Sequence, residues 1–238
     1  MGEPGPTESL PPAAALIGRW RWPARLVSLW VSAAGLALVI FLGFHLLNLA
    51  LALVDPAGFE NTATALHGLI WLPLVEVGLA VAALTHLGLG LARVVVHRRA
   101  VGTVAPARVS RRLGQAEQLA ALAARLAPWS GGLLLLFLPV HLAQLRWYRP
   151  PAGEELVTLR LALAAPWAVG LYVLAGLAVA LHLFHGLESA HRSLGWLDSA
   201  NGLRIRWTGR GLALVLGGGF ALLALALRLG GTGPGGVG

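Results

Sequence analysis

The chain has 238 residues, 57% of them hydrophobic and 12% charged, with a mean hydropathy of +0.73; a soluble domain carries roughly a quarter charged residues, so one is excluded. The absence of cysteine excludes disulfides, iron–sulfur ligation within the chain and thioether-linked haem. The net charge of +8 comes from arginine alone and is gathered in particular connections rather than in a stripe suited to nucleic acid, so it reads as topology information.

Residues 1–25 form an N-terminal segment. Met1 to Pro12 lack the basic start and immediate apolar core of a cleavable signal peptide, and Arg19, Trp20, Arg21, Trp22 and Arg25 make a basic, aromatic lead-in. Residues 26–229 read as five membrane-spanning helices, residues 230–238 as a flexible glycine-rich tail. The first span, Leu26 to Val54, is long enough to cross ~30 Å of hydrocarbon at about 1.5 Å per residue, and Asp55-Pro56-Ala57-Gly58 stops it. The loop that follows holds Asp55 and Glu60 and no arginine. The second span runs from Ala65 to Val96, closed by His97, Arg98 and Arg99 and followed by Arg108, Arg111 and Arg112. Leu113 to Arg125 is an interfacial helix or an extension of the third span, Leu126 to Leu145. A mixed-charge loop with Arg146, Arg149, Glu154 and Glu155 leads to the fourth span, Leu159 to Ser189. His191, Arg192, Arg204, Arg206 and Arg210 fill the connection to the fifth, Gly211 to Leu229.

The lead-in and the connections after spans two and four are rich in arginine, whereas the loop after span one has none and the loop after span three balances it with glutamate. The positive-inside rule then places the N-terminus in the cytoplasm and the C-terminus outside. The tryptophans sort accordingly: Trp20, Trp22, Trp30, Trp129, Trp196 and Trp207 at inner ends, Trp71, Trp147 and Trp167 at outer ends. The expected fold is an all-α integral membrane bundle of five up-and-down helices.

Each of the first four spans carries one deeply placed histidine: His45, His86, His141 and His182. All lie in the last third of their spans, so alternation of direction puts His45 and His141 at an outer level and His86 and His182 at an inner one, roughly 10–15 Å apart in depth by counting turns. A single intramembrane histidine is as readily a helix–helix hydrogen-bonding group as a ligand. Four at matched depths are harder to explain so, because an ionisable group in hydrocarbon costs roughly 2.5–3.5 kcal/mol or more, and metal coordination occupies the nitrogen lone pair. Two matched pairs in an apolar bundle without cysteine fit two b-type haems enclosed by the helices, each with two axial histidines: His45 and His141 on the outer iron, His86 and His182 on the inner. His185, one turn beyond His182, is the rival ligand, and His182 matches the depth of His86 better. His67, His97 and His191 sit at helix ends or in loops and read as solvated. Gly35, Gly78, Gly131, Gly132, Gly170 and Gly176 offer room for haem planes or serve plain helix packing.

Three stretches now carry a resemblance: Phe44-His45-Leu46 followed by Asn48; Ser130-Gly131, then Phe137 and His141; and, most specific, His182-Leu183-Phe184-His185-Gly186 followed by Ser189-Ala190 and Leu194-Gly195-Trp196. In these motifs and in helix order over nearly the whole length, the chain resembles the dihaem cytochrome b membrane anchor of succinate:quinone oxidoreductases (succinate dehydrogenase and fumarate reductase), in its single-anchor, five-helix form. The resemblance implies a subunit of a bacterial cytoplasmic membrane complex, without dicarboxylate chemistry of its own. It implies a flavoprotein and an iron–sulfur subunit docked on the cytoplasmic face, with electrons passing between the iron–sulfur clusters, two b haems and a membrane quinone, menaquinone or ubiquinone. It pairs the same histidines. Some relatives place a glutamate two residues before the fourth ligand for transmembrane proton movement; here that residue is Ala180, which puts that route in doubt.

A quinone reduced or oxidised near His45 and His141 must exchange two protons with water, and a carboxylate at the apolar boundary can carry them. Glu60 is the first candidate, against the alternative of a solvated loop residue. Glu76, deeper, is the second, against a protonated carboxyl bonded to a neighbouring helix. Two other classes stay open: the dihaem quinol-oxidising anchor of another respiratory complex, such as a nitrate reductase or hydrogenase, and a haem-free transport or structural membrane protein. Relatives of the former place both haems between fewer helices, often with two ligands on one helix, whereas this chain spreads one ligand over each of four.

Overall fold

The computed structural model describes residues 23–101 and 114–230, which are helical with no strand among them. In order these are α1 (Ala24–Val54), α2 (Pro56–His67), α3 (Leu72–Val101), α4 (Gln115–Leu142) running on into a π-helical turn (Ala143–Trp147), α5 (Glu155–Ala162), α6 (Pro166–Ser193) and α7 (Gly202–Gly230). Five of them, α1, α3, α4 with its π turn, α6 and α7, are long and apolar enough to cross a membrane. The expectations for Arg19, Trp20, Arg21, Trp22, Arg108, Arg111, Arg112 and the tail after Gly230 fall outside the described residues.

The spans differ from the sequence reading where short helices intervene. The stretch after Asp55 is helix rather than loop: Pro56 occupies the first helical position, where its missing N–H costs nothing, and Asp55 Oδ1 accepts the Gly58 N–H at 3.0 Å. The second membrane helix consequently begins at Leu72, not Ala65, and His86 lies midway along α3 instead of in its last third. The fourth span divides in the same way, into α5 and then α6, which starts on Pro166. Residues ahead of the third span are its extension, since α4 runs unbroken from Gln115 through Pro128. The last helix begins at Gly202, not Gly211. Its arginines looked like a connection but belong to its first turns, tied back by Arg206 Nε to Glu188 Oε1 at 3.2 Å and Arg210 Nη2 to Glu117 Oε1 at 3.1 Å. Arg210 is buried, its guanidinium lying over Phe184 and Trp207.

Helix α6 is the centre of the bundle, packed along α7, α4 and α1. Its tightest approach is to α7, where a Cβ at Gly176 would meet Ala221 N at 2.7 Å and Gly217 O at 2.8 Å, and Gly217 faces Ala180; small residues let helix backbones close in this way. Helix α1 packs on α3, and α4 on α6, whereas α1 with α4 and α3 with α6 have little backbone contact. Side chains therefore have to bridge those two gaps. The outward surface is apolar, with Phe44, Leu47, Leu84 and Leu136 all about 70% exposed, as lipid-facing helices require. All seven described tryptophans are exposed as well.

Candidate functional site

The side chains that cross the two gaps are the four deep histidines. His45 on α1 and His141 on α4 stand with ring centroids 5.9 Å apart and planes at 81°; His86 on α3 and His182 on α6 stand 6.0 Å apart at 74°. An imidazole–metal bond of about 2 Å on each side of one ion, with each nitrogen about 1 Å from its ring centre, would put two ring centres about 6 Å apart. His185 makes no such approach to His86; the ring facing it is His182. Among the described residues no group of three or more His, Asp or Glu side chains gathers as a metal site.

The nitrogen each ring offers follows from its hydrogen bonds. His86 Nδ1 lies 2.9 Å from the Val31 carbonyl, and His182 Nδ1 lies 3.3 Å from the Ala127 carbonyl and 3.3 Å from Ser130 Oγ. A carbonyl only accepts, so Nδ1 carries the proton and Nε2 keeps its lone pair. His141 Nδ1 lies 3.3 Å from the Tyr172 hydroxyl, whose single proton is donated to Gln144 Oε1 at 3.1 Å; the phenol oxygen can only accept, and the same tautomer results. Ligating histidines are oriented in this manner, with the second nitrogen fixed by a protein acceptor. His45 is held instead by rings: Phe41 stacks on it at 5.3 Å and Phe220 lies 5.8 Å away. Phe137 stacks on His141, also at 5.3 Å.

The glycines divide by role. A Cβ at Gly35 would come within 2.9 Å of His86 Cε1, and one at Gly131 within 3.3 Å of His182 Cε1, so these two make room for the histidine rings themselves. Gly176 serves the α6–α7 crossing, and Gly78, Gly132 and Gly170 border open space. Measured along α1 from Gly35 to His45, or along α4 from Gly131 to His141, the two levels lie ten residues apart, about 15 Å of helix, the upper end of the expected range.

A signal that depth alone did not bring out lies in the numbering. His141 and His182 each follow their counterparts His45 and His86 by 96 positions, and the same offset relates Gly35 to Gly131, Phe41 to Phe137, Trp71 to Trp167 and the acceptor carbonyls of Val31 and Ala127. The chain holds two hairpins, α1 with α3 and α4 with α6, in one register, and each pair takes one histidine from each hairpin.

The candidate carboxylates have other partners. Glu60 accepts the backbone N–H of Leu156 at 2.7 Å and of Glu155 at 3.2 Å, so it caps α5 from α2 and is neither a free loop residue nor in contact with the histidines. Glu76 is gripped from the π turn by Arg146, Nε to Oε1 at 2.8 Å and Nη2 to Oε2 at 2.6 Å, with Arg149 4.0 Å away. This two-pronged guanidinium contact bonds Glu76 to the π turn of a neighbouring helix as a charge-assisted pair. Beside Glu60, burial pushes the Glu155 carboxyl above the usual range; His67 Nδ1 stands 3.0 Å from its Oε1, yet that oxygen accepts no hydrogen bond. Ala180 abuts Gly217 across the α6–α7 crossing.

No known protein family, curated protein or solved structure matches the chain.

Proposed function

We propose that this chain is the dihaem cytochrome b membrane anchor of a succinate:quinone oxidoreductase, carrying electrons between an iron–sulfur subunit and membrane quinone. The carrying observation is the pair of histidine pairs, each bridging helices with little backbone contact, with centroids near 6 Å and three of four Nδ1 atoms committed to acceptors. His45 and His141 would hold one b haem, His86 and His182 the other, and the group would supply reversible one-electron chemistry at each level. The chain's own part is to fix the rings: backbone carbonyls and glycines set His86 and His182, while Phe41, Phe137 and Tyr172 set His45 and His141. The apolar flanks exclude water from both gaps. The arginine-rich connections favour an orientation with the N-terminus and the His86–His182 level on the cytoplasmic side, where flavoprotein and iron–sulfur partners would dock; the setting is the bacterial cytoplasmic membrane.

The test is haem per polypeptide, measured as the pyridine haemochrome of the purified chain. Two per chain is expected; none overturns the reading in favour of a haem-free membrane protein, and one means that a single pair binds.

A further inference from the structure

The two hairpins match around the histidines, so the places where they differ are informative. In the second hairpin the amide of Gln144 accepts the Tyr172 phenol, and that phenol accepts His141 Nδ1–H. At the same register the first hairpin has Asn48 for Gln144 and Glu76 for Tyr172. Glu76 is turned to Arg146, a residue whose own counterpart is Ala50. Asn48 is thus an amide in the same relation to His45 as Gln144 to His141, but without its phenol. Its Oδ1 is buried and, among the described residues, has no hydrogen-bond donor. A buried amide oxygen left so is costly, more readily accepted where a ligand completes it.

We propose that Asn48 Oδ1 is the acceptor for the phenolic hydroxyl of a hydroquinone bound beside His45, taking the part that the Tyr172 phenol plays in the other hairpin. This rests on the quinone-linked reading above and gives it a binding residue on α1. The hydroxyl donates and Oδ1 accepts. Phe44 and Leu47, four and one positions before Asn48, are 70% and 69% exposed on the lipid side of α1, so the approach to this acceptor is apolar and suits a ligand dissolved in the bilayer.

The test uses the full chain in lipid nanodiscs, titrated calorimetrically with a decyl-substituted benzohydroquinone and with its dimethyl ether, which cannot donate. The wild type is expected to prefer the hydroquinone by about tenfold, the usual reach of one good hydrogen bond. Asn48→Leu should erase that preference and leave the ether unchanged, and Asn48→Gln should restore part of it. Equal binding of hydroquinone by wild type and Asn48→Leu overturns the proposal, as it would if a water met Oδ1. Should Asn48→Leu not fold, absence of a preference in the wild type overturns it alone. The haem spectrum is read separately: a haem-free chain that keeps the Asn48-dependent preference sinks the cytochrome reading and not this site. A haem-loaded chain without the preference does the reverse.

Discussion

The two histidine pairs are alike in spacing and opposite in how they are held. His86 and His182 lean on backbone, two main-chain carbonyls behind Nδ1 and two glycines against the rings. His45 and His141 lean on side chains, a stacked phenylalanine each, with a tyrosine and a glutamine behind His141. Backbone support cannot be altered by changing the residue that provides the carbonyl, but it leaves no slack beside the ring. Side-chain support is adjustable one group at a time. The first level should therefore respond to mutation in an all-or-none way and the second by degrees.

The hardest blow to that contrast is at the rigid level. On the dihaem proposal, His182→Ala should remove the haem assigned to that level and His185→Ala should not. Gly35→Ala, which brings a methyl 2.9 Å from the His86 ring, should also empty it while the other level stays loaded. Overpacking of this kind costs about 1–3 kcal/mol. Haem spectra of the purified variants decide it, and full loading of Gly35→Ala would show that the rigid level yields after all.

A smaller effect is expected at the adjustable level. Tyr172→Phe removes the acceptor behind His141 Nδ1–H, which weakens the imidazole as a donor to metal. With one hydrogen bond at stake, about 1 kcal/mol, the midpoint potential of that level should rise by a few tens of millivolts and the other should stay put. A redox titration showing both levels moved equally, or neither, would remove the distinction between them.

The five spans and the pairing of histidines by depth were legible because length, apolarity and one deep histidine per span survive without knowledge of packing. The short helices α2 and α5 were not, since Pro56–His67 and Glu155–Ala162 mix polar and apolar residues and depend on each other through the Glu60 cap. Arg206 and Arg210 looked like loop residues because charge marks connections, yet each is neutralised by a glutamate on another helix that only the folded chain brings near. The same holds for Glu76 and Arg146, seventy positions apart. The 96-residue register was present in the numbering all along; reading depths one span at a time passes over it.

The least effect is expected where those short helices meet, at the end of the bundle beyond the adjustable pair. Burial holds the Glu155 carboxyl above its ordinary value, so its contribution to folding is complete below the unfolded value and is lost as pH rises through the folded one. The protection factors of the α5 amides, with intrinsic exchange divided out, should accordingly rise as the medium is acidified across that window, and Glu155→Gln should flatten the dependence. A profile unchanged by the substitution would assign the pH response to another group.

The repeat of one hairpin bears on how the protein is made. Each hairpin, α1 with α3 and α4 with α6, has its own packed interface and can enter the bilayer as it leaves the ribosome. No histidine pair exists until the second hairpin has arrived, because every pair draws on both. A group held between the rings would then act as a late cross-brace, joining two separately inserted halves after synthesis has passed His182, so that a nascent chain ending at Val101 should insert and yet retain no ligand.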